Sequence, residues 1–62
     1  MKKIEYMSSN ERMVGCIKEL PDGKWSMYRG FVGGTMVYCG DFGSVHHAQY
    51  RMEKDGWEEI KK

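Results

Sequence analysis

Four side chains of this chain are of the kinds that bind metals or act as nucleophiles: Cys16, Cys39, His46 and His47. Zinc takes thiolate and imidazole ligands, but structural zinc sites draw them in close pairs such as Cys-x-x-Cys. The two cysteines are far apart, and adjacent histidines on a helix point about 100° away from each other. The expectation is therefore no metal, with His46 and His47 on the first turn of a helix. A Cys–His nucleophile needs its thiol in a cleft beside the imidazole. Cys39 is near His46 in sequence, yet a 62-residue chain has little room for a substrate pocket. Asp41, Asp55, Glu58 and Glu59 fall at turns and near the C-terminus, where solubility and helix termination account for them. The glycines fit neither a P-loop nor a dinucleotide fingerprint and read as turn chemistry. No catalytic residue and no cofactor is assigned, and the chain is expected to be a non-enzymatic binding protein.

Composition agrees with a folded binder. Hydrophobic residues make up 40% and charged residues 31%, as in a globular domain rather than a disordered tail. Residues 1–62 are read as one small domain, which would bury only about 60% of its unfolded surface. Such domains often gain burial from disulfides, a metal or a second copy. The net charge of +1 lacks the basic excess of a dedicated nucleic-acid binder. Lys2, Lys3, Lys24, Lys54, Lys61 and Lys62 are offset by Glu5, Glu11, Glu19, Asp22, Glu53, Asp55, Glu58 and Glu59. No apolar run approaches a membrane span or a signal-peptide core, so a cytoplasmic protein with reduced cysteines and no membrane contact is expected.

These residues need a scaffold, and five breaks mark it out. They are Ser8-Ser9-Asn10, Leu20-Pro21-Asp22-Gly23, Gly33-Gly34, Gly40-Asp41-Phe42-Gly43 and Asp55-Gly56. Between them, 2–7, 12–19, 24–32 and 35–39 alternate or are β-branched and aromatic, which predicts four strands. Pro21-Asp22-Gly23 suits a three-residue hairpin loop and Gly33-Gly34 a two-residue one. After Ser44, a good N-cap, the period becomes helical through Val45, Ala48 and Met52. Gly56 fits a left-handed C-cap with Trp57 folding back on the last turn, and 57–60 allows a short last strand. The predicted class is α+β: an antiparallel sheet of three to four strands, with a short C-terminal strand allowed, packed on one helix.

The two loops set a register in which Leu20 opposes Lys24, Cys16 opposes Tyr28, Val32 opposes Thr35 and Phe31 opposes Met36. Opposed residues share a face. One face then carries Met13, Ile17, Trp25, Met27, Phe31, Met36 and Tyr38, and is expected beneath the helix. The other carries Val14, Cys16, Lys18, Ser26, Tyr28, Val32, Val37 and Cys39. Cys16 and Cys39 would flank Tyr28 about 10 Å apart, too far for a disulfide. One helix cannot cover both faces, so apolar surface should remain exposed for binding.

Two resemblances bear on the partner. Gly23-Lys24-Trp25, Gly40-Asp41-Phe42-Gly43-Ser44 and Ala48 are similar to the plan of AP2-type and phage-integrase arm-binding domains, over residues 15 to about 52. That resemblance implies DNA read from the sheet, with Lys18, Lys24, Trp25, Tyr28 and Arg29 at the matching positions. In size, charge balance and Met and aromatic load, the chain also resembles small phage-encoded proteins that inhibit a host enzyme or defence complex, anti-CRISPR proteins among them. The favoured expectation is such an inhibitor in the host cytosol, bound to a protein or nucleoprotein complex and self-associating as a homodimer. Its expected contacts are Tyr28, Arg29, Tyr38 and Trp57, because Tyr, Trp and Arg dominate interface energetics. A nucleic-acid partner reached through Lys18, Lys24, Trp25 and Arg29 is the alternative.

Overall fold

Apolar alternation in the strands and the helical spacing of Val45, Ala48 and Met52 produce the α+β fold expected, shown here by a computed structural model. It describes residues 2–60; Met1, and Lys61 and Lys62 from the charge tally, lie outside. Strands β1 (Lys3–Met7), β2 (Met13–Glu19), β3 (Trp25–Phe31) and β4 (Val37–Phe42) precede helix α1 (Val45–Lys54) and a two-residue β5 (Glu58–Glu59). They form one antiparallel sheet in the order β4-β3-β2-β1-β5. No helix among the described residues is long and apolar enough to cross a membrane.

The β2–β3 hairpin has the predicted chemistry. Gly23 takes φ 89°, and its N–H donates to Leu20 O at 3.0 Å. Leu20 N–H in turn donates to Lys24 O at 2.7 Å, which fixes Ile17 opposite Met27 and Cys16 opposite Tyr28. The helix ends are equally legible. Ser44 Oγ accepts from His47 N–H, and the Phe42 ring meets the His47 imidazole edge-on. At the other end Gly56 takes φ 85° and its N–H donates to Glu53 O. Trp57 N–H donates to Met52 O, completing the paired bonds of a left-handed glycine cap.

One face of the sheet lies under α1. Tyr6, Ile17, Trp25 and Met27 from the strands meet Ala48 and Met52 from the helix and Trp57 beyond it, with Ile4, Met13, Phe42 and Val45 packed around them. Each of the larger side chains contributes about 1.5–3 kcal/mol through burial. Gly15 lets the layers approach: a Cβ there would stand 2.8 Å from Met52 Cε and 3.1 Å from Trp57 Cζ3.

The fourth strand departs from the predicted register. Gly34 N–H donates to Phe31 O, with Gly33 at φ 81°, so the tight turn is Phe31–Gly34 rather than a two-residue loop. Arg29 therefore opposes Val37 and Tyr28 opposes Tyr38, one residue away from expectation. A bulge between Met27 and Tyr28 absorbs the difference, and Met27↔Gly40 and Trp25↔Phe42 follow the predicted offset. Gly40-Asp41-Phe42, read as a break, belongs to the strand, with Gly40 at φ 115°. As a result Tyr38 leaves the helix-side face for the open one, while Val37 moves the other way.

Candidate functional site

The open face is built from rows of opposed residues. Lys3, Lys18, Ser26 and Asp41 form one row, and Glu5, Cys16, Tyr28 and Tyr38 the next. Cys16 and Ser26 are buried. Around them the large side chains make a connected array. Lys18 Nζ lies 5.2 Å from the Tyr28 ring centroid. The Tyr28 and Tyr38 rings are 5.7 Å apart and tilted by 58°. Tyr38 then donates from its hydroxyl to Asp41 Oδ1 at 2.8 Å. That bond to a carboxylate favours the neutral phenol and raises the Tyr38 pKa. Cation, two rings and anion thus contact one another in a single connected array.

At Tyr38 the array meets an apolar corner that wraps round the sheet edge: Phe31 (67% exposed), Val32 (56%), Val37 (63%) and Tyr38 (56%) flank the β3–β4 loop, with Phe31 and Val37 on the helix-side face and Tyr38 on the open one. Tyr50 is also exposed but stands apart on α1. The other end of the sheet has a different character. There Glu58 and Glu59 of β5 and Glu11 border a shallow depression with Met7, Ser8 and Ile60. Polarity thus changes from apolar at the β4 edge to acidic at the β5 edge.

The four expected contact residues are divided between the faces. Tyr28 and Tyr38 stand on the open face as described. Trp57 is a core residue, 7% exposed, and is not available as a surface ring. Arg29 lies on the helix side, its guanidinium 5.1 Å from the Trp57 ring and bonded to Asp55 Oδ2 at 2.7 Å. The alternative set is scattered too: Lys18 is on the open face, Lys24 follows the hairpin loop, and Trp25 is buried under the helix. Phe31, Val32 and Val37 are exposed but were not among the expected contacts. Their signal was an apolar run flanking glycines at a loop, which reads equally well as strand interior.

Cys16 and Cys39 are free, in line with the expected absence of a bond between them. Cys39 does not flank Tyr28, however, because Tyr38 takes that position, and its thiol is exposed. Among the described residues no three His, Cys, Asp or Glu side chains are grouped to hold a metal ion. His46 and His47 are both exposed on the first helical turn.

The Arg29–Asp55 pair gives a pH-dependent test of how the C-terminal turn is held. Hydrogen bonding from Arg29 holds the Asp55 carboxyl below the usual carboxylate value, with Arg51 adding to the effect and partial desolvation opposing it. The folded state thus binds this proton less tightly than the unfolded chain. Its contribution is present above the unfolded pKa and is lost as pH falls through the folded one. Urea titrations should show the stability gap between wild type and Asp55→Asn closing as the pH drops below about 4. Parallel curves would mean that the pair contributes nothing.

No family model, curated protein or solved structure matches this chain.

Proposed function

We propose that this chain is a non-enzymatic protein-binding module that engages a larger partner through Tyr28, Tyr38 and the adjoining apolar corner. The carrying observation is the exposure of four large apolar side chains, Phe31, Val32, Val37 and Tyr38, around the β3–β4 loop and the start of edge strand β4. Exposed apolar side chains concentrated at one edge of a small domain are characteristic of an interaction site. Tyr is among the residues that supply most interface energy. A phage or mobile-element inhibitor of a host enzyme or defence complex, of the anti-CRISPR kind, is the biological setting that suits such a module.

The test is capture of a defined partner with and without nuclease, followed by titration of alanine variants. Tyr28→Ala and Tyr38→Ala should each weaken binding about 30-fold, the size of a hot-spot loss near 2 kcal/mol. Tyr50→Ala, on the exposed helix face, should change it less than about threefold. Unchanged affinity for both tyrosine variants would remove the site. Capture that vanishes with nuclease, and affinity that falls steeply with salt, would instead assign the chain to nucleic acid.

A further inference from the structure

The sheet has two edges of opposite kind, and only one can meet its own copy. Edge β5 is two residues long, and both are glutamates. Paired with itself it would set like charges against each other. Edge β4 adjoins a stretch, 30–40, that contains no charged residue. It has no lysine or proline to discourage pairing, and its own edge-blunting features, the bulge at Cys39 and Asp41, lie beyond its first two residues.

The direction of the backbone groups follows from bonds at both ends of the β2–β3 ladder. Leu20 N–H donates to Lys24 O, and Val32 N–H donates to Arg12 O. Bonded pairs alternate along an antiparallel ladder. The even-numbered residues of β3 therefore bond to β2, and the odd-numbered ones turn to β4. Val37, opposite Arg29, uses its backbone groups inward. Tyr38 consequently aims its N–H and C=O away from the sheet. The bulge at Cys39 lies beyond that position and leaves it free to pair.

We infer that two copies of this chain join through β4, antiparallel, with Tyr38 of each donating its N–H to the other's Tyr38 carbonyl. A two-fold axis perpendicular to the sheet is the symmetry that keeps both helices on one side. It requires a residue to oppose itself, and Tyr38 meets that condition with an outward donor and acceptor. Val37 would then lie opposite the partner copy's Cys39, and the Tyr28–Tyr38 arrays would join into one row on the open side. Asp41, on the open face, would lie near the partner copy's Met36, away from its own charge. Val37 and Tyr38 belong to both surfaces, so the dimer would cover Val37 and offer a partner the joined open-face rings of two copies.

Sedimentation velocity over a concentration series reads the result directly: twice the 7.3 kDa chain mass for wild type. Tyr38→Pro removes the outward N–H without cutting a bond to β3 and should halve the mass, with the β-sheet circular dichroism retained. Tyr38→Phe should stay dimeric. If Tyr38→Pro fails to fold, cross-linking of wild type decides. In this register the two Cys39 residues lie roughly 8 Å apart across the axis, within reach of a short bis-maleimide. Cross-linked dimer should form in wild type, disappear in Cys39→Ser and leave the mass of that variant unchanged. A monomer at hundreds of micromolar, or a folded Tyr38→Pro that remains dimeric, would overturn the inference. Tyr28→Ala separates the two proposals, because it should weaken partner binding while the dimer mass persists.

Discussion

Trp57→Ala should lose about 3–5 kcal/mol, the range for deleting a buried large aromatic. Trp57 is 7% exposed and packs with Tyr6, Met52 and the close approach at Gly15. Its ring also supports the Arg29 guanidinium, which in turn holds Asp55 at the end of α1. One truncation therefore removes core volume and loosens the last helical turn. A core in this size class seldom supplies more than about 3–5 kcal/mol, so the variant should be largely unfolded unless self-association supports it. Urea denaturation followed by far-ultraviolet circular dichroism gives the number. Tyr28→Ala, which shortens an aromatic on the open face, should lose less than about 1.5 kcal/mol in the same assay. If Trp57→Ala folds within 1 kcal/mol of wild type, the packing described around this ring is wrong. Loss of partner binding in Trp57→Ala would report unfolding rather than a lost contact.

Trp57 also shows what the sequence can and cannot disclose. Gly56 as a left-handed cap and the return of the chain over the last turn were legible, because both depend on local backbone chemistry. That same return carries the Trp57 ring into the core, where it closes one end of the helix–sheet layer. Read by residue type alone, Trp57 belongs to the interface class; read by its cap, it belongs inside. Arg29 poses a similar problem. Its strand position was correct, but its pairing with Asp55 joins residues 26 apart, and no local pattern announces such a contact. Strands, helix, caps and the first hairpin rest on near neighbours and could be read. The side chains that stay free for a partner depend on distant pairings and could not.

The remaining error has a single origin. Gly33-Gly34 fits a two-residue loop well, and Gly40 looks like the end of a strand. Neither feature announces a bulge, in which one extra residue sits opposite the Met27–Tyr28 step. With period-2 alternation, one residue of slip moves every side chain of the segment to the other face. That slip put Tyr38 under the helix and Val37 on the open side, although the pairs beyond the bulge keep the predicted offset. The aromatic array at the proposed surface therefore exists because of the bulge.

Gly30→Ala tests what holds that register. Gly30 lies on the open face opposite Val14, and a Cβ there would stand 2.6 Å from Thr35 O and 3.2 Å from both Met36 Cα and Sδ. The nearest atom is a backbone carbonyl, which cannot rotate away as a flexible side-chain tip could. The β3–β4 loop must therefore move, at a cost of about 1–3 kcal/mol for overpacking. The available movement is a slip toward the two-residue loop that Gly33-Gly34 also permits, which sets Val37 rather than Met36 opposite residue 30. It would remove the bulge, return Tyr38 to the helix side and separate it from Tyr28 and Asp41. Gly30→Ala should thus lower stability and also abolish the ring-to-ring NOEs between Tyr28 and Tyr38. Those NOEs should survive in Gly23→Ala, where the added methyl meets nothing within 4 Å and strain is confined to the other loop at φ 89°. If Gly30→Ala keeps both its stability and the Tyr28–Tyr38 contact, then the register is held elsewhere, by the turn at Phe31–Gly34 or by the Tyr38–Asp41 bond.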